Sequence, residues 1–170
     1  MGVDIVIFVT TGTTEFPFSR MDKIAHLLSY KFPKEKIIYQ SKSSSLKSNK
    51  NLKIIKELEF SGFLSLIKNS RVIIAHGGPA TIYLALSYAK TKPFVVARDK
   101  KYKEHVIDQQ LHFAQFMAKK GLVKVLRDTI NLEKEILVYC LKPDNNVYKS
   151  DSKNLKKLIE GLERLIDSMI

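Results

Sequence analysis

Apolar runs alternate with amphipathic segments along most of the chain. Short apolar runs of this length are typical of β-strands, and apolar residues at helical spacing are typical of α-helices. Their alternation favours parallel βαβ units in one sheet. The sequence therefore predicts a Rossmann-like open α/β fold with about six parallel strands and helices on both faces. The strands are expected near 4–9, 36–40, 52–56, 71–75, 93–97 and 122–126, and the helices near 19–31, 61–69, 79–89, 104–120, 131–141 and 152–169.

The last of these helices has the most regular apolar spacing in the chain. A polar break at 142–146 separates it from the preceding segments. We therefore predict an α/β domain over 1–145 and a C-terminal helix within 146–170, which packs either on that domain or on a partner subunit. The segment 41–51 has only polar and turn-forming residues and is predicted to be a mobile loop. The apolar positions of the last helix are Leu155, Leu158, Ile159, Leu162, Leu165, Ile166 and Met169.

The composition is that of a soluble globular protein. The chain has 170 residues, of which 45% are hydrophobic and 27% charged, enough for one well-buried domain. No apolar stretch approaches the roughly 20 residues that span a bilayer. The start of the chain lacks a basic leader, and the only cysteine, Cys140, excludes an intrachain disulfide. A cytoplasmic protein is expected.

The net charge of +12 favours a polyanionic or phosphorylated partner. Nucleic-acid-binding modules usually combine arginines and aromatic residues along a basic surface. Here lysines dominate, and they lie among serines and asparagines. A basic α/β domain that binds nucleic acid remains an alternative, but we expect no nucleic-acid partner, and much of this charge solvates the surface.

Two predicted strands end in glycine turns that lead into helices. The first is followed by Thr10-Thr-Gly-Thr-Thr14, and the fourth by His76-Gly-Gly-Pro79. Pro suits a first helical turn, and glycines there let a ligand approach the N–H groups at the positive end of the helix dipole. A tight turn without a ligand explains either segment alone. Two such turns at one sheet edge favour a diphosphate bound by the hydroxyls of Thr11, Thr13 and Thr81 and the N–H groups of Gly12, Gly77 and Gly78.

The predicted helix 104–120 carries a polar face. His105, Asp108, Gln109 and His112 recur at i, i+3, i+4 and i+7. Such groups suit the hydroxyls of a sugar, although the spacing alone favours a solvated helix face. The spacing of the two histidines and the aspartate also permits a metal site. The sequence offers no second ligand cluster, so no metal is predicted.

As a set, these segments resemble the glycosyltransferase family 28 C-terminal domain in its short stand-alone form. That form includes the catalytic subunit of the two-subunit GlcNAc transferase of dolichol-linked glycan assembly. It also includes the small subunits of bacterial exopolysaccharide and capsule glycosyltransferases. The resemblance rests on four stretches that occur in family order, namely Ile7-Phe-Val-Thr-Thr-Gly-Thr13 with Pro17-Phe18, Val72-Ile-Ile-Ala-His-Gly-Gly-Pro-Ala-Thr81, Lys92-Pro-Phe-Val-Val-Ala-Arg98 and His105-Val-Ile-Asp-Gln-Gln110.

The resemblance implies the nucleotide-sugar half of a GT-B glycosyltransferase, corresponding to its C-terminal half. A UDP-sugar would be a co-substrate, with no cofactor. A separate membrane-anchored subunit would bind a lipid-linked saccharide acceptor and hold this chain at the inner face of the membrane. The glycine turns would hold the diphosphate, the backbone near Phe60 the uracil, and 108–110 the sugar. The implied substrate-binding residues are Thr11, Gly12, Thr13, Phe60, His76, Gly77, Gly78, Ala80, Thr81, Arg98, Asp108, Gln109 and Gln110.

Three positions depart from the family pattern. Leu84 stands where members usually carry a glutamate that binds the ribose, and Thr14 and Gln109 replace usual histidines. Leucine accepts no hydrogen bond, so ribose recognition must be weaker or supplied otherwise. Either a divergent enzyme or a non-catalytic subunit that stabilises a transferase fits these changes. Glu15 and His105 are candidates for the catalytic base, which the acceptor subunit could equally supply.

Overall fold

The computed structural model describes residues 6–126 and 131–146, which form a six-stranded parallel sheet with helices on both faces. The strands are β1 (Val6–Thr10), β2 (Lys36–Gln40), β3 (Leu52–Ile55), β4 (Val72–Ala75), β5 (Phe94–Val95) and β6 (Lys124–Val125). Their order β3-β2-β1-β4-β5-β6 is that of a Rossmann-like sheet and confirms the predicted fold class. The last two strands are clearly shorter than expected, because only two residues of β5 and of β6 pair in the sheet.

Helices cover the two faces unequally. Of the five α-helices within the described ranges, α1 (Ser19–Lys31) and α5 (Leu132–Leu141) pack on one face, and the other three pack on the opposite face. Alternate residues of β4 enter these two cores, with Val72 and Ile74 facing one side and Ile73 the other. Burial on both faces explains the continuous apolar runs of the sequence. The helices are α1 (Ser19–Lys31), α2 (Phe60–Asn69), α3 (Pro79–Tyr88), α4 (Gln109–Lys119) and α5 (Leu132–Leu141), with a 3₁₀ turn at Lys100–Tyr102.

The strand order reverses between β1 and β4. Thr10, the last residue of β1, lies opposite Ala75 of β4 on one side and opposite Gln40 of β2 on the other. Open α/β sheets bind ligands at the carboxyl ends of the strands where the order reverses. The register therefore places the two predicted glycine turns side by side at one edge of the sheet.

The predicted helix over 104–120 begins only at Gln109. Lys103 lies in the left-handed region at φ 58°, and the carbonyl of Glu104 accepts a hydrogen bond from Arg98 rather than from the next helical turn. The prediction that these polar residues form one face of a single helix is therefore wrong. Of its four residues, only Gln109 and His112 lie on α4, and Asp108 precedes its first turn.

The loop over 41–51 contains neither helix nor strand, but side-chain hydrogen bonds fasten it to the domain. The Asn51 Nδ2 donates to the carbonyls of Ser29, Phe32 and Glu35, at 3.0 to 3.2 Å, and so closes the end of α1. Leu46 packs against the core beneath it. These contacts do not fit the mobile loop predicted from its polar composition.

The polar break after α5 also contacts the sheet. The carboxylate of Asp144 lies 2.8 Å from the Lys92 Nζ, and the Lys92 N–H donates to the Asp144 carbonyl at 2.8 Å. The predicted C-terminal helix at 152–169 lies outside the described residues. Within 6–126 and 131–146, none of the helices combines the length and the hydropathy needed to cross a membrane.

Candidate functional site

The turn after β4 brings two helix starts together. Gly77 has φ +96°, where residues with a side chain are strained. A Cβ on Gly77 would lie 3.2 Å from the Ala97 Cα and 3.3 Å from the Gln110 carbonyl oxygen. Glycine thus lets the first turn of α4 approach the start of α3. The predicted ligand residues of these two segments therefore lie beside one another.

The amino-terminal end of α3 is open. No side chain among the described residues caps it, and within them Ile82 is the first residue whose N–H finds a backbone acceptor, the Gly78 carbonyl at 3.0 Å. Pro79 has no N–H, and it is exposed together with Ala80. The N–H groups of Ala80 and Thr81 are therefore left at the positive end of the helix dipole, where an anion is favoured.

The turn after β1 is built differently, because its amides already have partners. The Thr11 N–H donates to the Gln40 carbonyl at 3.0 Å, and the Gly12 N–H donates to the Thr10 hydroxyl at 3.2 Å. The Gly12 N–H, which was expected to meet a ligand, thus has a partner within the turn, and its contact with a ligand stays a prediction. Thr13, the next residue, is exposed.

The imidazole of His76 fills the space between the two turns. A Cβ on Gly12 would lie 2.6 Å from the His76 Nε2, and a Cβ on Gly78 would also meet this ring. Burial, and then the charge of Arg98, lower the pKa of His76 to about 4, so the ring is neutral at neutral pH. Its Nδ1 has no hydrogen-bond partner in the described part of the chain. A diphosphate would therefore lie over the start of α3, above His76, rather than between the glycines.

The guanidinium of Arg98 lies behind the first turn. It is fully buried and donates to the carbonyls of Thr11, Phe16 and Glu104 at 3.1, 3.0 and 2.9 Å. Its carbon atom Cζ lies 4.6 Å from the centre of the Phe18 ring. Burial lowers the pKa of Arg98 to about 10. These bonds hold the loop after β1 against the segment after β5, and the predicted contact between Arg98 and a substrate stays a prediction.

A buried ion pair that the sequence did not predict lies beside Arg98. The carboxylate of Glu104 is only 2% exposed; it pairs with Arg20 and also accepts the Asp99 N–H at 3.2 Å. Arg20 further donates to the Ala97 carbonyl at 2.7 Å. Neither residue belongs to a motif, so only the rarity of a buried carboxylate draws attention to them once the fold is known.

The start of α4 supplies amide and carboxylate groups near the second turn. Asp108 accepts the Lys100 N–H at 2.9 Å and so fixes the preceding 3₁₀ turn. Gln109 is exposed, whereas the Gln110 Oε1 is buried without a partner among the described residues. A buried side-chain oxygen without a partner is rare in folded proteins, which marks Gln110 for attention.

The remaining predicted residues lie further out on the same edge. The ring centroid of His105 lies 5.5 Å from that of Phe16, and the Glu15 carboxylate lies 3.2 Å from the Lys42 Nζ. Phe60 is exposed at the start of α2, which follows β3, two strands away from β1. Among the described residues, no group of histidines, cysteines and carboxylates could hold a metal ion.

Solved structures share this fold at low sequence identity. The spinosyn forosaminyltransferase SpnP is 16% identical, with a TM-score of 0.61 over 96% of this chain and 43% of its own. MurG of Acinetobacter baumannii is 14% identical, with a TM-score of 0.57 over 82% and 42%. The UDP-GlcNAc 2-epimerase of Methanocaldococcus jannaschii, solved with UDP-GlcNAc and UDP, is 16% identical, with a TM-score of 0.55 over 95% and 45%.

The chain thus spans less than half the length of each of these proteins. No curated protein matches it in sequence. The model of the glycosyltransferase family 28 C-terminal domain, in contrast, matches residues 6–165, which is nearly the whole chain. The chain therefore belongs to the family of glycosyltransferase family 28 C-terminal domains.

Proposed function

We propose that this chain is the donor-binding subunit of a glycosyltransferase that uses a UDP-sugar. The observation that carries the proposal is the open amino-terminal end of α3, at the point where the strand order reverses. Its first turn, which is exposed at Pro79 and Ala80 and buried at Thr81, offers the N–H groups of Ala80 and Thr81 to an anion. The neutral His76 below and the amide of Gln110 beside it supply polar contacts without a competing negative charge.

This geometry suits the departure of a nucleoside diphosphate. Transfer of a sugar displaces UDP from the anomeric carbon, and negative charge grows on the leaving phosphate oxygen. N–H groups fixed at the start of a helix stabilise that charge without reorganising. A base must also take the proton of the acceptor hydroxyl. Glu15 and His105 stay candidates, and the ion pair between Glu15 and Lys42 must open before Glu15 acts.

Family membership favours a transferase over other uses of this fold. The fold alone also occurs in a UDP-GlcNAc 2-epimerase, which was solved with UDP-GlcNAc and UDP. That complex supports a uridine nucleotide as ligand, and the family model supports group transfer. UDP-sugar is therefore the proposed co-substrate.

The acceptor would bind elsewhere. This chain spans less than half the length of the similar transferase SpnP, so the described domain corresponds to one part of such an enzyme. We place the lipid-linked saccharide acceptor on a membrane-anchored partner subunit, which holds this chain at the cytoplasmic face. The predicted C-terminal helix within 146–170 is a candidate contact with that partner, and the net charge of +12 suits the anionic surface of a membrane.

A substitution at the exposed Ala80 tests the donor site. Glutamate in the first turn of a helix stabilises the helix dipole, yet its charge repels a diphosphate. Ala80→Glu should therefore keep or raise the thermal stability and weaken UDP binding at least ~10-fold, as a lost charge-assisted contact does. Ala80→Gln is the matched control of equal size and should bind UDP nearly as wild type does.

Calorimetry with UDP, together with amide chemical shifts of Ala80 and Thr81, measures both effects. Wild-type chain that shows no UDP or UDP-sugar binding at millimolar ligand, alone and with its partner, contradicts the donor site. Equal affinities of the Glu and Gln variants would place the nucleotide away from α3.

A non-catalytic subunit that stabilises a transferase is the second candidate. Leu84, half-buried on the second turn of α3, favours it because leucine cannot bind the ribose hydroxyls. Leu84→Glu should raise UDP affinity by about 1 kcal/mol if the pocket is functional and only this contact is impaired. Leu84→Gln is the neutral control. Unchanged affinity in both variants would favour the stabilising role.

A further inference from the structure

The first turn is fastened to the neighbouring strand by a closed ring of hydrogen bonds. The Thr10 hydroxyl donates to the Gln40 Oε1 at 2.5 Å and accepts the Gly12 N–H at 3.2 Å. The Gln40 Nε2 completes the ring by donating to the Gly12 carbonyl at 3.0 Å. These partners fix the orientation of the amide group, because only its nitrogen can donate and only its oxygen can accept from a hydroxyl.

The ring is buried, so each of its polar groups needs a hydrogen-bond partner within the protein. Gln40 is 3% exposed and Thr10 is fully buried. A buried amide without partners is costly, whereas a fully satisfied network favours one arrangement over others. The Gln40 carbonyl adds two further bonds, from the N–H of Thr11 at 3.0 Å and from its hydroxyl at 3.3 Å. Gln40 therefore holds all three residues of the turn, Thr10 and Gly12 through its side chain and Thr11 through its carbonyl.

The turn needs such support because it contains a glycine. Gly12 has φ +74°, and a free glycine samples many other conformations. A turn that is disordered before binding must be ordered by the ligand, which lowers the affinity. Gln40 restrains the glycine from the side of β2, and Arg98 restrains Thr11 from the opposite side through the Thr11 carbonyl.

We propose that Gln40 is a positioning residue of the donor site. It fixes the turn at Thr10–Gly12 before a ligand arrives and so sets the position of the exposed Thr13 that follows. Gln40 itself, buried beneath the turn, touches no ligand. This inference rests on the proposed function for its effect on UDP binding, but the ordering of the turn is independent of it.

Gln40→Met tests the proposal, because methionine has a similar shape and makes none of the side-chain bonds. We expect the amides of Gly12 and Thr13 to exchange hydrogen at least ~10-fold faster, as expected when a local opening becomes easier, while the amides of β4 and α3 stay unchanged. UDP affinity should fall about 10-fold through the lost ordering. Gln40→Glu keeps the acceptor for Thr10 and removes the donor to Gly12. It should give the same readout if the methionine variant does not fold.

Tyr39→Phe is the matched control. Tyr39 precedes Gln40 on β2 but points to the other face, where its hydroxyl donates to Asp22 at 2.7 Å. Loss of this hydroxyl should lower the stability without changing hydrogen exchange at the Gly12 amide or the UDP affinity. Equal exchange rates in Gln40→Met and wild type would overturn the proposal, as would faster exchange spread over the whole sheet. Should wild type bind no UDP, the donor site fails, and the exchange rates alone still decide the role of Gln40.

Discussion

The two glycine turns follow neighbouring strands and look alike in sequence, but they are held in different ways. Side chains from β2 and from the segment after β5 fasten the first turn, through Gln40 and Arg98. In the part of the chain that the structure describes, no side chain fastens the second turn in this way; it is shaped by close backbone packing at Gly77. The N–H groups of the first turn therefore bond within the protein. Those of Ala80 and Thr81 in the second turn have no partner among the described residues.

This difference separates two roles that the sequence of a glycine motif does not distinguish, namely shaping the site and binding the ligand. A turn whose donors are already bonded contributes shape, whereas an uncapped helix start contributes binding. We therefore expect substitutions at the first turn to lower the stability of the fold and to affect the ligand only indirectly, through the ordering of the turn. Substitutions at the second turn should act on the ligand directly. The following predictions test that division, beginning with the largest expected effect.

Removal of the Arg98 guanidinium should cause the largest loss. Arg98→Met leaves the carbonyls of Thr11, Phe16 and Glu104 without their donor inside the protein. The loss of several buried bonds to a charged group should lower the free energy of unfolding by about 4 kcal/mol, as measured by urea denaturation. Arg98→Lys keeps the charge but lacks the fork of donors, so it should recover only part of the loss. A change below about 1 kcal/mol in Arg98→Met would contradict the bracing role.

The neutral His76 between the turns predicts a loss of stability in acid. Its pKa in the folded chain is about 4, below the ordinary value of 6.5. The unfolded chain therefore binds the proton first, and stability present above pH 6.5 is lost as the pH falls towards 4. This group should contribute about 3 kcal/mol to that loss.

The difference between wild type and His76→Leu isolates this contribution, because the other titrating groups are shared. Urea denaturation at pH 7, 5.5 and 4 measures the free energy of unfolding of both proteins. As the pH falls, this free energy should decrease less in the variant than in wild type. Parallel curves would mean that the imidazole is solvated or paired with an acid in the folded state.

Much of the fold and part of the site could be predicted from the sequence. Continuous apolar runs such as Val72–Ala75 indicate strands buried on both faces, and Pro79 after two glycines marks a helix start. The start of α4 at Gln109 could not be predicted, because it depends on Arg98 binding the carbonyl of Glu104, six residues away in sequence but on another segment of the fold. The role of Gln40 likewise needs the pairing of β1 with β2.

Alanine at the two glycines that meet His76 should separate steric from conformational strain. A Cβ on Gly12 or on Gly78 would press on the imidazole ring, and overpacking of this kind costs about 2 kcal/mol. Gly78 has φ −66°, which suits alanine, whereas Gly12 has φ +74°. In a His76→Ala background, Gly78→Ala should therefore cost almost nothing. Gly12→Ala should still cost about 1 kcal/mol.

Thermal and urea unfolding of the three single and two double variants measure this cycle. If His76→Ala relieves both glycine substitutions equally, the left-handed conformation of Gly12 contributes nothing and the two turns do not differ in this respect. If it relieves neither, the imidazole does not lie between them.

The smallest expected effects come from replacing one threonine by valine in each turn. Thr10→Val removes the hydroxyl that joins Gln40 to Gly12 and should cost about 1 kcal/mol of stability. Thr81→Val removes a hydroxyl that has no hydrogen bond among the described residues, so the stability should stay within about 0.5 kcal/mol. Its UDP affinity should fall about fivefold, because the lost contact is made only with the ligand. Serine at either position keeps the hydroxyl and should restore each property. A stability loss in Thr81→Val that equals that of Thr10→Val would show that the second turn is braced as the first is.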